Sequence, residues 1–77
     1  EKKFDLIFAD PPYTKNYIST VFAFILRNEL LNKNGLLVVE EDKKTRIIEE
    51  ESFELICKKI YGNSQVLFFQ LKSGSLK

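Results

Sequence analysis

A chain of 77 residues falls below the usual size of a complete domain, which leaves room for a minimal domain or part of a larger one and excludes two. Apolar residues make up 44% of it and charged residues 30%, the proportions of a globular chain that builds a core and not of a disordered tail. A formal net charge of +1, no histidine and one cysteine, Cys57, exclude a strongly basic arm, disulfide frameworks, serine–histidine triads, cysteine–histidine dyads and structural zinc sites.

A chain this short buries only about 60% of its unfolded surface, so marginal stability or self-association is expected. It opens with Glu1-Lys2-Lys3 and has no apolar run long enough to cross a bilayer. A cytosolic setting without a membrane partner is the expectation, and Cys57 reads as a small core residue.

Phe4-Asp5-Leu6-Ile7-Phe8-Ala9 is a nearly continuous apolar run closed by Asp10-Pro11-Pro12, the pattern of a strand buried on both faces of a parallel sheet. After the prolines, Ile18, Val21, Phe22, Ile25, Leu26 and Leu30 recur at helical spacing, with Thr14 or Asn16 available as the amino-terminal cap. This predicts a helix over Tyr17–Leu31, ended by Asn32-Lys33-Asn34-Gly35. A second buried strand follows over Leu36–Glu40, parallel to the first across a helical crossover.

Glu40 to Ser52 is polar and reads as a solvated connection with one helical turn around Arg46 to Glu50. Phe53–Tyr61 and Gln65–Leu71 then flank Gly62-Asn63-Ser64 and predict an antiparallel hairpin, while Lys72 to Lys77 is expected to fray. The fold class is α/β: a parallel strand-helix-strand unit followed by an antiparallel hairpin in the same sheet.

Asp10-Pro11-Pro12-Tyr13 stands at the carboxyl end of the first strand, where open parallel sheets place ligands and catalytic groups. An exocyclic amino group on a nucleobase is a poor nucleophile because its lone pair is delocalised into the ring. A catalyst therefore accepts hydrogen bonds from both of its protons. The Asp10 carboxylate offers one acceptor, and the carbonyl between the two prolines offers another, aimed by the restricted backbone. Tyr13 adds a face on which an unpaired base stacks. The bland alternative is a strand-ending turn whose tyrosine packs over the sheet edge; the strand before the motif, and the helix and strand after it, favour the chemical reading.

With those residues in place, the order of three blocks resembles the bacterial 16S ribosomal RNA guanine-N2 methyltransferase family: Phe4 to Tyr13, then Gly35-Leu36-Leu37-Val38-Val39-Glu40, then Tyr61-Gly62-Asn63-Ser64 before an aromatic strand. The resemblance runs from Phe4 to about Leu71. It implies the carboxyl-terminal half of a Rossmann-like methyltransferase sheet, S-adenosylmethionine as methyl donor and RNA as partner. It carries catalytic or base-binding roles to Asp10, Pro11, Pro12 and Tyr13, with Asp10 also beside the cofactor.

The family's glycine-rich cofactor loop is not in this sequence: Gly35, Gly62 and Gly74 are the only glycines, and no two are close enough for a GxG turn. The chain by itself is therefore expected to bind cofactor poorly and to be inactive. The resemblance also places the last strand between the second and third, leaving Phe4–Ala9 as an apolar open edge. Self-association through that strand or the adjacent helix is expected.

Adenine-N6 or protein-amide methylation uses similar corners, and a non-catalytic α/β interaction module is the alternative from another class. Phe22 and Phe53 are read as core, Phe24, Phe68 and Phe69 as helix- or strand-spaced core, and Tyr17 as a residue at the mouth of the site or on the surface. Lys15, Lys43, Lys44 and Arg46 lie in loops at the carboxyl ends of the strands and are candidate phosphate contacts or plain solvated charge. Glu40 orients a substrate or pairs with Lys43.

Overall fold

The computed structural model describes residues 2–10, 17–46 and 49–72. Strand β1 (Phe4–Ala9) leads through helix α1 (Tyr17–Asn28) to β2 (Leu31–Asp42), and β3 (Phe53–Tyr61) and β4 (Ser64–Leu71) follow. The four strands form one sheet in the order β1-β2-β4-β3. β1 pairs with β2 in parallel, while β4 runs antiparallel to both β2 and β3. Class, strand directions and the insertion of β4 between β2 and β3 are as the sequence led one to expect.

Helix α1 ends earlier than its apolar spacing indicated. Glu29 adopts φ +51°, a left-handed conformation uncommon for a residue with a Cβ. The Leu30 amide then donates to the Ile25 carbonyl at 3.1 Å and the Glu29 amide to the Leu26 carbonyl at 3.3 Å. This six-to-one, five-to-two pair closes the helix, and Asn28 Nδ2 satisfies the Phe24 carbonyl at 2.9 Å. Leu31 opens β2 instead of closing α1, so the strand gains seven residues over the expected Leu36–Glu40.

The expected helix-stop Asn32-Lys33-Asn34-Gly35 lies inside β2, where the pairing jumps from Phe4 opposite Leu31 to Leu6 opposite Leu36. Asn32 Nδ2 donates to Asp5 Oδ1 at 2.7 Å across this irregularity. Gly35 is required there by space: a Cβ would stand 2.8 Å from Leu31 Cδ1, 3.0 Å from the Phe4 carbonyl oxygen and 3.1 Å from that of Asp5. The hairpin turn needs its glycine for a different reason, since Gly62 has φ +55° at the first central position of a two-residue turn.

Between β2 and β3 the chain turns at Lys43-Lys44 and again at Glu51-Ser52, and Arg46, Glu49 and Glu50 are not helical. The helical turn expected from Arg46 to Glu50 is thus not formed by its described residues, which exclude 47 and 48. No described helix is long and apolar enough to cross a membrane.

The core lies between α1 and one face of the sheet. Ile18, Phe22 and Ile25 meet Leu37 and Val39 of β2, Leu67 and Phe69 of β4, and Phe53 of β3. Phe22 stacks on Phe53 with centroids 4.5 Å apart and meets Phe69 edge-on at 5.1 Å. This pins the helix over the middle of the sheet, with each buried ring contributing about 1.5–3 kcal/mol of transfer free energy.

The opposite face is apolar but is not covered by any of the described residues. Leu6 and Phe8 are 62% and 61% exposed. Val38, Phe68 and Cys57 share that face by register and are only half-buried. The expectation that β1 is buried on both faces, and Cys57 within a core, is corrected accordingly: the residues are built for burial, and α1 covers one side only. Phe24, on the outer side of α1, is exposed and is not core.

Replacing Gly35 by alanine is expected to lower stability by about 1–3 kcal/mol, because the neighbours that must yield include backbone oxygens. Urea denaturation followed by circular dichroism measures it, and an unchanged midpoint would show that the bulge relaxes freely.

Candidate active site

Parallel pairing sets where the candidate corner lies. Ala9 sits opposite Val39, so the chain leaves β1 at the level of Glu40 while β2 continues to Asp42. Asp10 follows immediately and is exposed. Pro11, Pro12 and Tyr13 lie outside the described residues, as do Thr14, Lys15 and Asn16. Tyr17 begins α1 and is partly exposed.

Two further segments meet at this end of the sheet. β4 starts at Ser64 opposite Asp42, and Ser64 also pairs with Tyr61, so the turn Gly62-Asn63 and the β2–β3 loop rise beside each other. The Lys43 amide donates to the Asn63 carbonyl at 2.8 Å and joins them. Within the loop, the Thr45 amide donates to the Asp42 carbonyl at 2.9 Å and the Lys44 amide to Asp42 Oδ1 at 2.8 Å.

Beneath the loop, Gln65 is only 2% exposed and uses its amide nitrogen twice, donating to the Asp42 carbonyl at 3.1 Å and the Thr45 carbonyl at 3.0 Å. Glu41, its cross-strand neighbour, is 5% exposed and bonds the Thr45 side chain. Burial pushes the Glu41 carboxyl above its ordinary 4.5, and the Thr45 hydrogen bond pulls it part of the way back. Neither Gln65 nor Glu41 stood out in the sequence. The available signal was their place in the alternation, at positions where Val39, Leu67 and Phe69 point to the core.

Lys43, Lys44 and Arg46 are exposed, and among the described residues none of them makes an ion pair. The suggested pairing of Glu40 with Lys43 is therefore not made; Glu40 is half-buried on the face away from α1. A shallow groove of about 390 Å³ lies at the other end of the sheet, lined by Glu49, Glu50, Phe53, Glu54, Leu55, Phe69 and Lys72. Its three carboxylates and its place at the opposite end of the sheet separate it from Asp10.

The family model described as conserved hypothetical protein 95 matches residues 1–70. An uncharacterized methylase of Rickettsia prowazekii is 38% identical over 73 residues, covering 94% of this chain and 30% of that protein. Ribosomal RNA small subunit methyltransferase D of Haemophilus influenzae is 32% identical over 59 residues, covering 77% of this chain and 31% of the relative. The Buchnera aphidicola protein of that name is 29% identical, covering 88% of this chain and 36% of the relative.

Among solved structures, a conserved hypothetical protein of Streptococcus pyogenes superimposes with a TM-score of 0.82 at 32% identity, over 92% of this chain and 45% of that one. A candidate methylase of Haemophilus influenzae gives 0.78 at 28%, over 92% and 44%. The chain thus spans about a third of its curated relatives and a little under half of the solved chains.

Because its folded value is raised, Glu41 contributes stability below the ordinary carboxylate range and loses it as the pH rises through that folded value. At pH 7 the buried charge is a cost. Glu41→Gln keeps an acceptor for Thr45 without the charge, so its denaturation midpoint should exceed the parent's at pH 7 by a margin that narrows towards pH 4.5. A margin independent of pH would show that charge is not the cause.

Proposed function

The chain belongs to the conserved hypothetical protein 95 family, and we propose from that membership that it carries the catalytic corner of an S-adenosylmethionine-dependent RNA methyltransferase. Its substrate is the exocyclic N2 amino group of a guanine in 16S ribosomal RNA, free or within a small-subunit particle, and its setting the cytoplasm. The observation that carries the reading is the exposed carboxylate of Asp10 at the carboxyl end of a parallel strand, where such sheets present their chemistry.

Asp10 accepts one amino proton and the Pro11 carbonyl the other, which directs the nitrogen lone pair outward, while Tyr13 stacks on the base and holds its plane. No covalent link to the protein is needed. S-adenosylmethionine supplies an electrophilic methyl group on a positively charged sulfur. Among the described residues Asp10 fits it, as a carboxylate near that charge, whereas Gly35 is packed against β1 and Gly62 forms the hairpin turn, so neither of these belongs to a cradle. The rest of the cofactor site belongs to residues beyond this sequence.

The uncovered apolar face and the free edge of β1 give the isolated chain its second property, pairing with another copy through Phe4–Ala9 or the adjacent helix α1.

In the full-length enzyme, Asp10→Ala should reduce turnover about 100- to 1,000-fold with cofactor affinity nearly intact. Methyl transfer from labelled S-adenosylmethionine to RNA, DNA and protein, with calorimetric cofactor binding, tests this; unchanged turnover sinks it, and transfer to adenine or protein alone would move the substrate. Analytical ultracentrifugation of the isolated chain should show a concentration-dependent sedimentation coefficient, and a constant monomer value would remove the pairing proposal.

A further inference from the structure

Two features at the Asp10 end of the sheet are not used by the corner: a loop presenting Lys43, Lys44 and Arg46, and Tyr61, which is 61% exposed beside the hairpin turn. We infer that the loop Asp42–Arg46 and the turn Tyr61–Ser64 form a preorganised platform for the single-stranded RNA flanking the modified base. The inference rests on the RNA reading above and deepens it.

Register gives the layout. Asp42, Ser64 and Tyr61 are cross-strand neighbours on β2, β4 and β3, and Asp10 leaves the sheet on the far side of β2. Three inter-strand spacings of about 4.8 Å put Tyr61 about 14 Å from the β1 side. That is too far for the base held at Asp10 and suits a nucleotide farther along the same strand, with the loop cations between them for the phosphates.

The platform is already braced. Gln65, fully enclosed, holds two loop carbonyls; the Lys43 amide ties loop to turn; and Asp42 spends its side-chain oxygen on the Lys44 amide. Backbone so fixed loses little freedom when it binds, and no described carboxylate neutralises the three cations. Glu40, Glu41 and Asp42 are the acidic groups beside them, the first half-buried, the second buried and bonded to Thr45, and the third engaged with the Lys44 amide. Exposed cations next to an open aromatic ring match phosphates alternating with bases, because charge attracts the backbone and the ring stacks on any base. An acidic protein partner would use the cations and leave the ring without a role.

The test uses a fluorescein-labelled single-stranded RNA of about 12 nucleotides and anisotropy titrations of this chain over a range of salt concentrations. Lys43→Gln, Lys44→Gln and Arg46→Gln combined should reduce the slope of log affinity against log salt by about 2, from about 0.7 per lost phosphate contact. Tyr61→Ala should weaken binding about 5- to 150-fold and Tyr61→Phe should bind like the parent. Circular dichroism confirms that each variant is folded. A parent-like slope in the triple variant, parent-like affinity in Tyr61→Ala, absence of RNA binding by the parent chain, or equally tight binding of poly-glutamate overturns the platform. Turnover of the full-length Asp10→Ala enzyme is read separately, so the platform can fall while the methyl-transfer reading stands, and the reverse.

Discussion

The parallel pairing of β1 with β2 is the constraint from which the arrangement of the molecule follows. Four consecutive register positions, from Leu6 opposite Leu36 to Ala9 opposite Val39, with Phe4 opposite Leu31 below the bulge, fix where the first strand stops relative to the second. A parallel neighbour cannot be reached by a tight turn, so α1 must carry the chain back along the sheet, and its apolar stripe is thereby laid over β2, β4 and β3. Once β2 points the same way as β1, the antiparallel β4 has to start at the end where Asp10 emerges. Asp10, the cationic loop and the hairpin turn share one end of the sheet because of strand direction, before any side chain is considered.

That pairing also explains why the structure tolerates an awkward seam. The bulge between Phe4 and Leu6 sets extra residues of β2 against β1, and it closes only because Gly35 brings no Cβ against the carbonyls of Phe4 and Asp5. The Phe4 amide donates to the Leu30 carbonyl at 2.7 Å, which fastens the start of β1 to the end of the helix cap. Cap, seam and strand are one connected unit, in which the left-handed Glu29 turns the chain from α1 into β2 within two residues.

Much of this was legible in the sequence, and the exceptions have physical causes. β1, the start of α1 and the hairpin follow from local pattern: an apolar run stopped by two prolines, a 3.6-residue period, and alternation around Gly62-Asn63. The end of α1 did not, because Leu30 and Leu31 fit the helical period although they belong to the cap and the next strand, and because the terminating left-handed residue is a glutamate. Asn34-Gly35 carries the ordinary signature of a helix end but answers to a steric demand from β1, which is far away in sequence. The candidate corner was legible as a motif, with Asp10 exposed at the predicted strand end. The bracing of the β2–β3 loop was not: Gln65 and Glu41 look like solvated polar residues until strand pairing brings them under that loop.

Charge shows the same dependence on topology. A net value of +1 hides a separation along the sheet, since Lys43, Lys44 and Arg46 stand at the Asp10 end while Glu49, Glu50 and Glu54 line the groove at the other. The β2–β3 connection produces it by carrying its basic residues first and its acidic residues last as it returns along the sheet. A polyanion approaching this surface meets the exposed loop cations at one end and, at the other, three carboxylates against Lys72, over a distance longer than the Debye length of about 8 Å at physiological salt. Composition averaged over the chain cannot report such a field; the order of charges within one connection, read together with strand direction, does.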